Sequence, residues 1–289
     1  MKKIMISIII ICFFLTSCSS DLHPKYVKNI YFSKSDSDYE IIVTSYDFSS
    51  DEEIYHTDVI NGIDIEKMAI SAVNKKGYNF RLCENILVAP DILIEDFNNL
   101  FAVVNYLKIP PATNIVCTTE KEFDPDISLS HLISTPVYNF STSPNGASGL
   151  VNIIDNNCSE TGIIIIDNGN AVKFIDDNQF KILNMLTGDK SGFSCIVHEG
   201  NIFTEIGMND VYYSFENNIL KIRIVLTLKD YKGSINNKDL LKEVIKNNIS
   251  DIVFSLYNDI TVRKFFRLDW HSGLYSDFSN EIEVDVMVI

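Results

Sequence analysis

The sequence NILVAPDILIEDFNNLFAVVNYLKIPPATNIVCT, residues 85–118, decides the fold of this chain. Its first five residues form a short apolar run typical of a buried strand, and NIVCT at residues 114–118 is a second such run. Between them, apolar residues recur at helical spacing from Leu93 to Leu107, and Pro110 and Pro111 end the pattern. A strand, a helix and a strand in this order predict a βαβ-like unit, whose strands are parallel if both join one sheet.

Further elements are predicted upstream of this unit. The sequence YEIIVTSY at residues 39–46 is rich in β-branched and aromatic residues, which favour a strand. Residues 64–74 carry apolar side chains at helical spacing. Asp64 is a suitable N-cap for this helix, and Gly77 is a suitable first residue beyond its end.

The middle of the chain is predicted to be rich in β-structure. The loop-rich residues 119–149 should contain the main domain boundary and leave room for a short helix at residues 127–134. Asn168-Gly169 is a strong hairpin signal between strands at residues 162–166 and 171–175. We expect a turn at residues 176–178 and further strands at residues 180–183, 194–197 and 202–206.

The last third alternates apolar and polar residues in two places, at residues 219–229 and 282–288. Lys221 and Arg223 lie on the polar face of the first segment, and Glu283 lies on that of the second. Opposite charges on facing strands favour pairing, so the two segments should be neighbours in one sheet. A helix capped by Asn236 or Asn237 and running to about Leu256 should cover its apolar face.

These patterns predict the fold class α+β (mixed α/β), with two to three small domains, each a mixed sheet with helices packed on one face. The expected segments are a signal peptide at residues 1–17, an anchor and tether at residues 18–30, an α/β domain at residues 31–135, a β-rich middle domain at residues 136–210 and a strand–helix–strand domain at residues 211–289.

The N-terminus is typical of an exported protein. Lys2 and Lys3 precede an apolar run that is too short to cross a membrane, and small residues follow it, as in a secretory signal peptide. The sequence Leu15-Thr16-Ser17-Cys18 resembles the cleavage site of bacterial lipoproteins, which makes Cys18 the predicted lipidated N-terminus. Plain secretion is the alternative. Several acyl chains would anchor the chain stably, because each buried methylene contributes about 0.8 kcal/mol.

The charge of the chain excludes two classes of partner. The formal net charge is −15, and removal of the leader with its two lysines makes it −15 − 2 = −17. Nucleic-acid binding depends on Lys and Arg that neutralise phosphates, so no nucleic-acid partner is expected. A polybasic membrane contact is disfavoured for the same reason, which leaves the lipid on Cys18 as the expected membrane contact.

Four cysteines remain beyond the leader and the anchor: Cys83, Cys117, Cys158 and Cys195. Their spacing matches no zinc pattern, so no metal site is predicted. An exported chain can form disulfides, and four cysteines allow three connectivities. The apolar context of three of them favours buried free thiols instead.

No catalytic motif is present, so neither an enzyme nor a cofactor is predicted. We interpret several isolated fragments as surface or edge residues. They are His198-Glu199, Trp270-His271, Asp124 with Asp126, and the acidic residues Asp36, Asp38 and Glu40. None of them completes a constellation in sequence.

The order of segments resembles that of the spore germination receptor C subunits, the Ger(x)C-type lipoproteins. The resemblance rests on the lipoprotein leader, on residues 85–118, on AVKFIDDNQFKILNMLTGDKSGF at residues 171–193, and on the final strand, helix, aromatic segment with Trp270 and Phe278, and alternating strand. Ser19-Ser20-Asp21-Leu22 stands where the family carries Trp-Asp-x-x-Glu-Leu.

The resemblance implies a three-domain lipoprotein without enzymatic activity, held by acyl chains such as palmitate on Cys18 at the outer face of the spore inner membrane. It also implies integral-membrane germinant-receptor subunits as partners, and it specifies no small-molecule ligand. An exported substrate-binding or adhesin-like lipoprotein is the alternative, and a secreted hydrolase would need a constellation of acids or a nucleophile that the sequence does not display.

Overall fold

A computed structural model describes residues 25–35, 38–47, 54–119, 137–155, 157, 159–187, 194–199, 202–217, 219–232, 238–268 and 281–289. Contacts divide the chain into two compact units, residues 1–147 and 148–289. The strands are β1 (Lys25–Ser35), β2 (Asp38–Asp47), β3 (Ile54–Gly62), β4 (Tyr78–Asn79), β5 (Asn85–Val88), β6 (Asn114–Cys117), β7 (Ser141–Ser143), β8 (Gly146–Ile154), β9 (Glu160–Asp167), β10 (Asn170–Asp176), β11 (Ser194–Glu199), β12 (Ile202–Glu216), β13 (Ile219–Lys232) and β14 (Glu281–Val288). The helices are α1 (Ile65–Lys76), α2 (Pro90–Glu95), α3 (Phe97–Tyr106), α4 (Asp177–Leu186), α5 (Lys238–Asn258) and α6 (Ile260–Phe265).

The predicted fold class is confirmed, because both units combine helices with sheets and parallel with antiparallel pairing. The predicted domain boundaries stay predictions. β1 begins at Lys25, within the stretch assigned to the anchor and tether. The short helix expected at residues 127–134 lies outside the described residues. No helix in the described ranges is both long and apolar enough to cross a membrane.

The first unit is organised around β1. This strand pairs antiparallel with β2, which pairs antiparallel with β3. On its other side β1 is parallel to β5, and β5 is parallel to β6, so the order is β6-β5-β1-β2-β3. The parallel β5–β6 pair confirms the βαβ unit predicted from residues 85–118.

α1 follows the capping chemistry of its sequence. The carboxylate of Asp64 accepts a hydrogen bond from the backbone N–H of Lys67 at 3.0 Å, and Gly77 ends the helix with φ of 73°. That left-handed conformation is one that glycine adopts without steric cost, which explains the position of the helix end. The buried face of α1 comprises Ile65, Met68, Ala69 and Ala72.

The single helix predicted from residue 93 to residue 107 is wrong in one respect, because two helices, α2 and α3, occupy this stretch. Pro90 starts α2 at its first turn, where a missing N–H costs nothing. Asp96 separates the helices with φ of −133° and ψ of 18°. Its carboxylate accepts a hydrogen bond from Lys34 Nζ of β1 at 2.8 Å, a tertiary contact that helical periodicity cannot reveal.

In the second unit, β8, β9 and β10 form an antiparallel meander. The predicted hairpin is confirmed, because Asn168 and Gly169 have φ of 51° and 79° between the paired residues Asp167 and Asn170. Positive φ at both central residues is the geometry that favours an Asn-Gly pair.

The turn predicted at residues 176–178 and the strand at residues 180–183 are wrong, because α4 begins at Asp177. Asp176 and Gln179 form a capping box in which each side chain accepts a hydrogen bond from the backbone N–H of the other residue. Phe180, Leu183 and Leu186 then fall on one buried helical face. The short apolar run was ambiguous between strand and helix, and the capping box decides it.

β11, β12, β13 and β14 form a four-stranded sheet in that order. β13 and β14 are neighbours, as predicted, and they run parallel, with α5 in the connection between them. Leu241, Ile245, Ile249 and Val253 of α5 are buried in one core with the apolar side chains of β13, which confirms that this helix covers the sheet.

Candidate interaction surface

The predicted lipidation site, Cys18, lies outside the described residues, so lipidation stays a prediction. Asp36, Asp124, Asp126 and the Trp270-His271 pair also fall outside them. Asp38 and Glu40 lie in β2, and His198-Glu199 lies in β11. Among the described residues, no group of three or more His, Cys, Asp or Glu could hold a metal ion.

Cys83 and Cys117 are free and buried, as the sequence predicted. Burial raises the pKa of Cys117 to about 12, and it also raises the pKa of Cys83. Both cysteines are therefore protonated thiols at neutral pH, and a protonated thiol is a poor nucleophile. These two residues are small core side chains rather than reactive groups.

A cluster of tyrosines and cations lies at one end of the first sheet, where β1, β3, β5 and β6 begin and α1 ends. We call this the tether end. Lys28 is 8% exposed and is held between two rings, with its Nζ 5.6 Å from the ring centroid of Tyr46 and 4.8 Å from that of Tyr55. Its Nζ donates a hydrogen bond to the Tyr55 hydroxyl at 3.1 Å. Cation–π contacts of this kind stabilise by about 0.5–2 kcal/mol.

The hydroxyls in this cluster are bonded to carboxylates. Tyr46 donates a hydrogen bond to Glu84 Oε1 at 3.2 Å, and Tyr78 donates one to Asp58. Lys25 Nζ lies 3.4 Å from Asp58 Oδ2 and 5.5 Å from the Tyr78 ring centroid. Burial, followed by the nearby Glu84 carboxylate, raises the pKa of Tyr46 to about 12.

Strand register assembles the cluster from distant parts of the sequence. The β1–β2 pairing shifts between Val27 and Asn29, so Lys28 is the extra residue of a β-bulge. A bulge re-aims a side chain, and here it directs Lys28 toward Tyr46 and Tyr55, which are register partners across β2 and β3. The sequence analysis missed this cluster because no local pattern links these strands.

The opposite end of the first sheet is acidic. Lys34 near the end of β1 lies 2.9 Å from Glu95 and 2.8 Å from Asp96, and the hydrogen bond to Asp96, followed by that to Glu95, raises its pKa. Further carboxylates at this end, in β2 and at the N-termini of α1 and α2, are Asp38, Glu40, Asp64, Glu66 and Asp91. Lys34 also lies over a ring, with its Nζ 5.5 Å from the Tyr39 centroid, so the two ends differ mainly in the excess of carboxylates at this one.

In the second unit, charged side chains line a cavity of about 710 Å³ over the polar face of β12, β13 and β14. Arg223 Nε lies 3.0 Å from Asp285, and Lys221 Nζ lies 3.8 Å from Glu283. These cross-strand pairs confirm that the basic face of β13 meets the acidic face of β14. The alternation of charge can select a partner surface by complementarity.

No family model and no curated protein matches this chain. Among solved structures, it is similar to the "Crystal Structure of the GerBC protein", with a TM-score of 0.45 and 14% sequence identity. The match covers 90% of this chain and 95% of the other.

Proposed function

We propose that this chain is a non-enzymatic, membrane-anchored lipoprotein subunit of a nutrient germinant receptor in bacterial spore germination. Lipid on Cys18 holds it at the outer face of the spore inner membrane, where it docks onto integral-membrane partner subunits. The observation that carries the proposal is the order of segments in the sequence. A lipoprotein leader is followed by the strand–helix–strand unit of residues 85–118, the segment of residues 171–193 and the final strand, helix and strand, as in the germination receptor C subunits.

Two physical features support a scaffolding role. The net charge of −17 after the leader gives the surface no general affinity for anionic membranes, so a covalent lipid is the simplest means of retention. The ladder of alternating charges on β13 and β14 lies on an exposed face, where it can set the orientation of a docked partner.

Fractionation and deletion test this proposal. The protein should appear in the inner membrane of spores and be absent from the membranes of growing cells. Its deletion should abolish or alter germination in response to at least one nutrient. Equal presence in growing cells, or normal germination with every nutrient in a strain without paralogues, would contradict the proposal.

The anchor has its own test, with a matched control. Cys18→Ala should abolish incorporation of radiolabelled fatty acid and release the protein from the membrane fraction. Cys12→Ala, within the leader, should change neither, because Cys12 is removed with the leader. Retention of the Cys18→Ala protein in the membrane would mean that partner contacts or an uncleaved leader hold it there.

A second candidate is an exported lipoprotein that binds a small polar ligand. The cavity of about 710 Å³ over β12, β13 and β14 favours it, because its size suits a small molecule and its walls carry both signs of charge. Thermal stabilisation by a charged metabolite, lost in Arg223→Ala and Asp285→Ala, would support this function over scaffolding.

A further inference from the structure

The distance between the proposed lipid and the first described strand is short. Six residues lie between Cys18 and Lys25, where β1 begins, so seven residue-to-residue steps join them. A fully extended chain spans at most about 3.6 Å per residue, so the start of β1 lies within about 25 Å of the acylated cysteine. β1 itself has 11 residues and rises about 3.3 Å per residue, so the opposite end of the sheet lies about 30 Å from Lys25, beyond the full reach of the tether.

The tether end is therefore the part of the first unit that meets the bilayer most readily. Three partly exposed tyrosines lie there, Tyr26 at the start of β1 and Tyr46 and Tyr55 around Lys28, whereas Tyr78 at the start of β4 is buried. Tyrosine is enriched at membrane–water interfaces because its ring is apolar and its hydroxyl is polar.

Two turns at the same end of the sheet carry exposed residues. Leu82 is 47% exposed in the turn between β4 and β5, beside the exposed Arg81. Pro111 and Ala112 are exposed in the turn before β6. This turn is joined to the turn between β4 and β5 by the hydrogen bond that Thr113 Oγ1 donates to the Cys83 carbonyl. Cations at such a surface keep their charge in the headgroup layer while their stems lie on apolar surface.

We infer that the tether end of the first unit lies against the lipid headgroups, with Leu82 and the partly exposed Tyr26, Tyr46 and Tyr55 at the interface and the acidic end pointing away. This inference rests on the proposed anchor at Cys18. The tether makes docking intramolecular, with an effective concentration of about millimolar for a short linker, so a weak surface affinity is enough.

Electrostatic attraction does not hold the tether end against the membrane. The connection between β2 and β3, residues 48–53, carries three carboxylates in sequence and lies outside the described residues. The contact depends on the reach of the tether and on the aromatic rings rather than on charge, and we expect it on zwitterionic as well as anionic vesicles.

The test uses the full-length lipidated protein in phosphatidylcholine vesicles, with and without phosphatidylglycerol. A fluorophore is attached at Leu82→Cys or, as the matched control, at Ile63→Cys. Ile63 is 78% exposed and lies between β3 and α1 at the acidic end. Both variants carry Cys158→Ser and Cys195→Ser, while the buried Cys83 and Cys117 remain. Quenching by lipids with a nitroxide headgroup is measured, and thermal melting verifies that both variants fold.

We expect quenching at Leu82→Cys to exceed that at Ile63→Cys several-fold on both kinds of vesicle. Equal quenching at the two positions, with mass spectrometry showing lipid on Cys18, overturns the inference and leaves the anchor intact. Stronger quenching at Ile63→Cys means that the opposite end faces the bilayer and also overturns it. Absence of lipid on Cys18 overturns the proposed anchor, and the inference fails with it.

Discussion

Arg223 and Asp285 form an ion pair across two parallel strands, with Arg223 Nε 3.0 Å from Asp285 Oδ2. They are register partners in the β13–β14 ladder, two positions from the partners Lys221 and Glu283 and on the same face. Their side chains are 60% and 46% exposed, so water screens much of the attraction. Exposed ion pairs typically stabilise by about 0–1 kcal/mol.

We predict that this pair contributes little to stability. A double-mutant cycle of Arg223→Ala and Asp285→Ala in urea should give a coupling free energy below about 1 kcal/mol, because both charges are well solvated. The exchanged variant, Arg223→Asp with Asp285→Arg, should recover most of the stability that either reversal alone removes. A coupling of several kcal/mol would show that the pair is far more desolvated than the structure indicates.

The pairing of β13 with β14 could be predicted because its signal is local. Alternation with period two is visible in each segment, and the signs of charge on the polar faces are opposite. A helix between the two strands is the usual connection of a parallel pair, and α5 provides it. Helical periodicity does not separate the adjacent Leu240 and Leu241, of which the structure buries only Leu241.

The tyrosine cluster could not be predicted, because its members meet only through strand register. The contact of Lys28 with Tyr46 and Tyr55 requires a β-bulge at residue 28, and no residue type marks that position in the sequence. The interruption between α2 and α3 at Asp96 could not be predicted for the same reason, because Lys34, the hydrogen-bond partner of Asp96, lies 62 residues away in the sequence. Local patterns thus predicted most elements, and long-range contacts set the details of the candidate surface.

The adjacent leucines of α5 provide a matched test of core packing. Leu241 is 1% exposed and Leu240 is 47% exposed. Leu241→Ala should reduce the free energy of unfolding by about 2–5 kcal/mol, because it removes apolar contacts and leaves a cavity. Leu240→Ala, the same substitution one residue earlier, should change it by about 0.5 kcal/mol or less. Chemical denaturation of both variants measures the difference, and equal losses would place α5 in a different rotation about its axis.

The pKa of Tyr46 predicts an alkaline effect on stability. Burial and the nearby Glu84 raise this pKa from 10.0 to about 12, so the folded protein keeps the Tyr46 proton more tightly than the unfolded chain does. The resulting stabilisation is complete below pH 10 and is lost as the pH rises toward 12. Wild type should therefore lose stability relative to Tyr46→Phe over this interval, as measured by urea unfolding at a series of pH values. Parallel curves for the two proteins would refute the shift.

The thiols of Cys83 and Cys117 should resist modification in the native protein. Their side chains are 4% and 1% exposed, so a reagent has little access to them. Burial also raises the pKa of both thiols, so little of the reactive thiolate forms. With a thiol-specific maleimide near neutral pH, peptide mapping should find these two residues unmodified in native protein and fully modified in denaturant. A Leu82→Cys variant supplies the control, because an exposed thiol next to Cys83 should react quickly under the same native conditions. Rapid native modification of Cys83 itself would show that the turn joining β4 to β5 opens readily, and it would weaken the case for that turn as a fixed membrane contact.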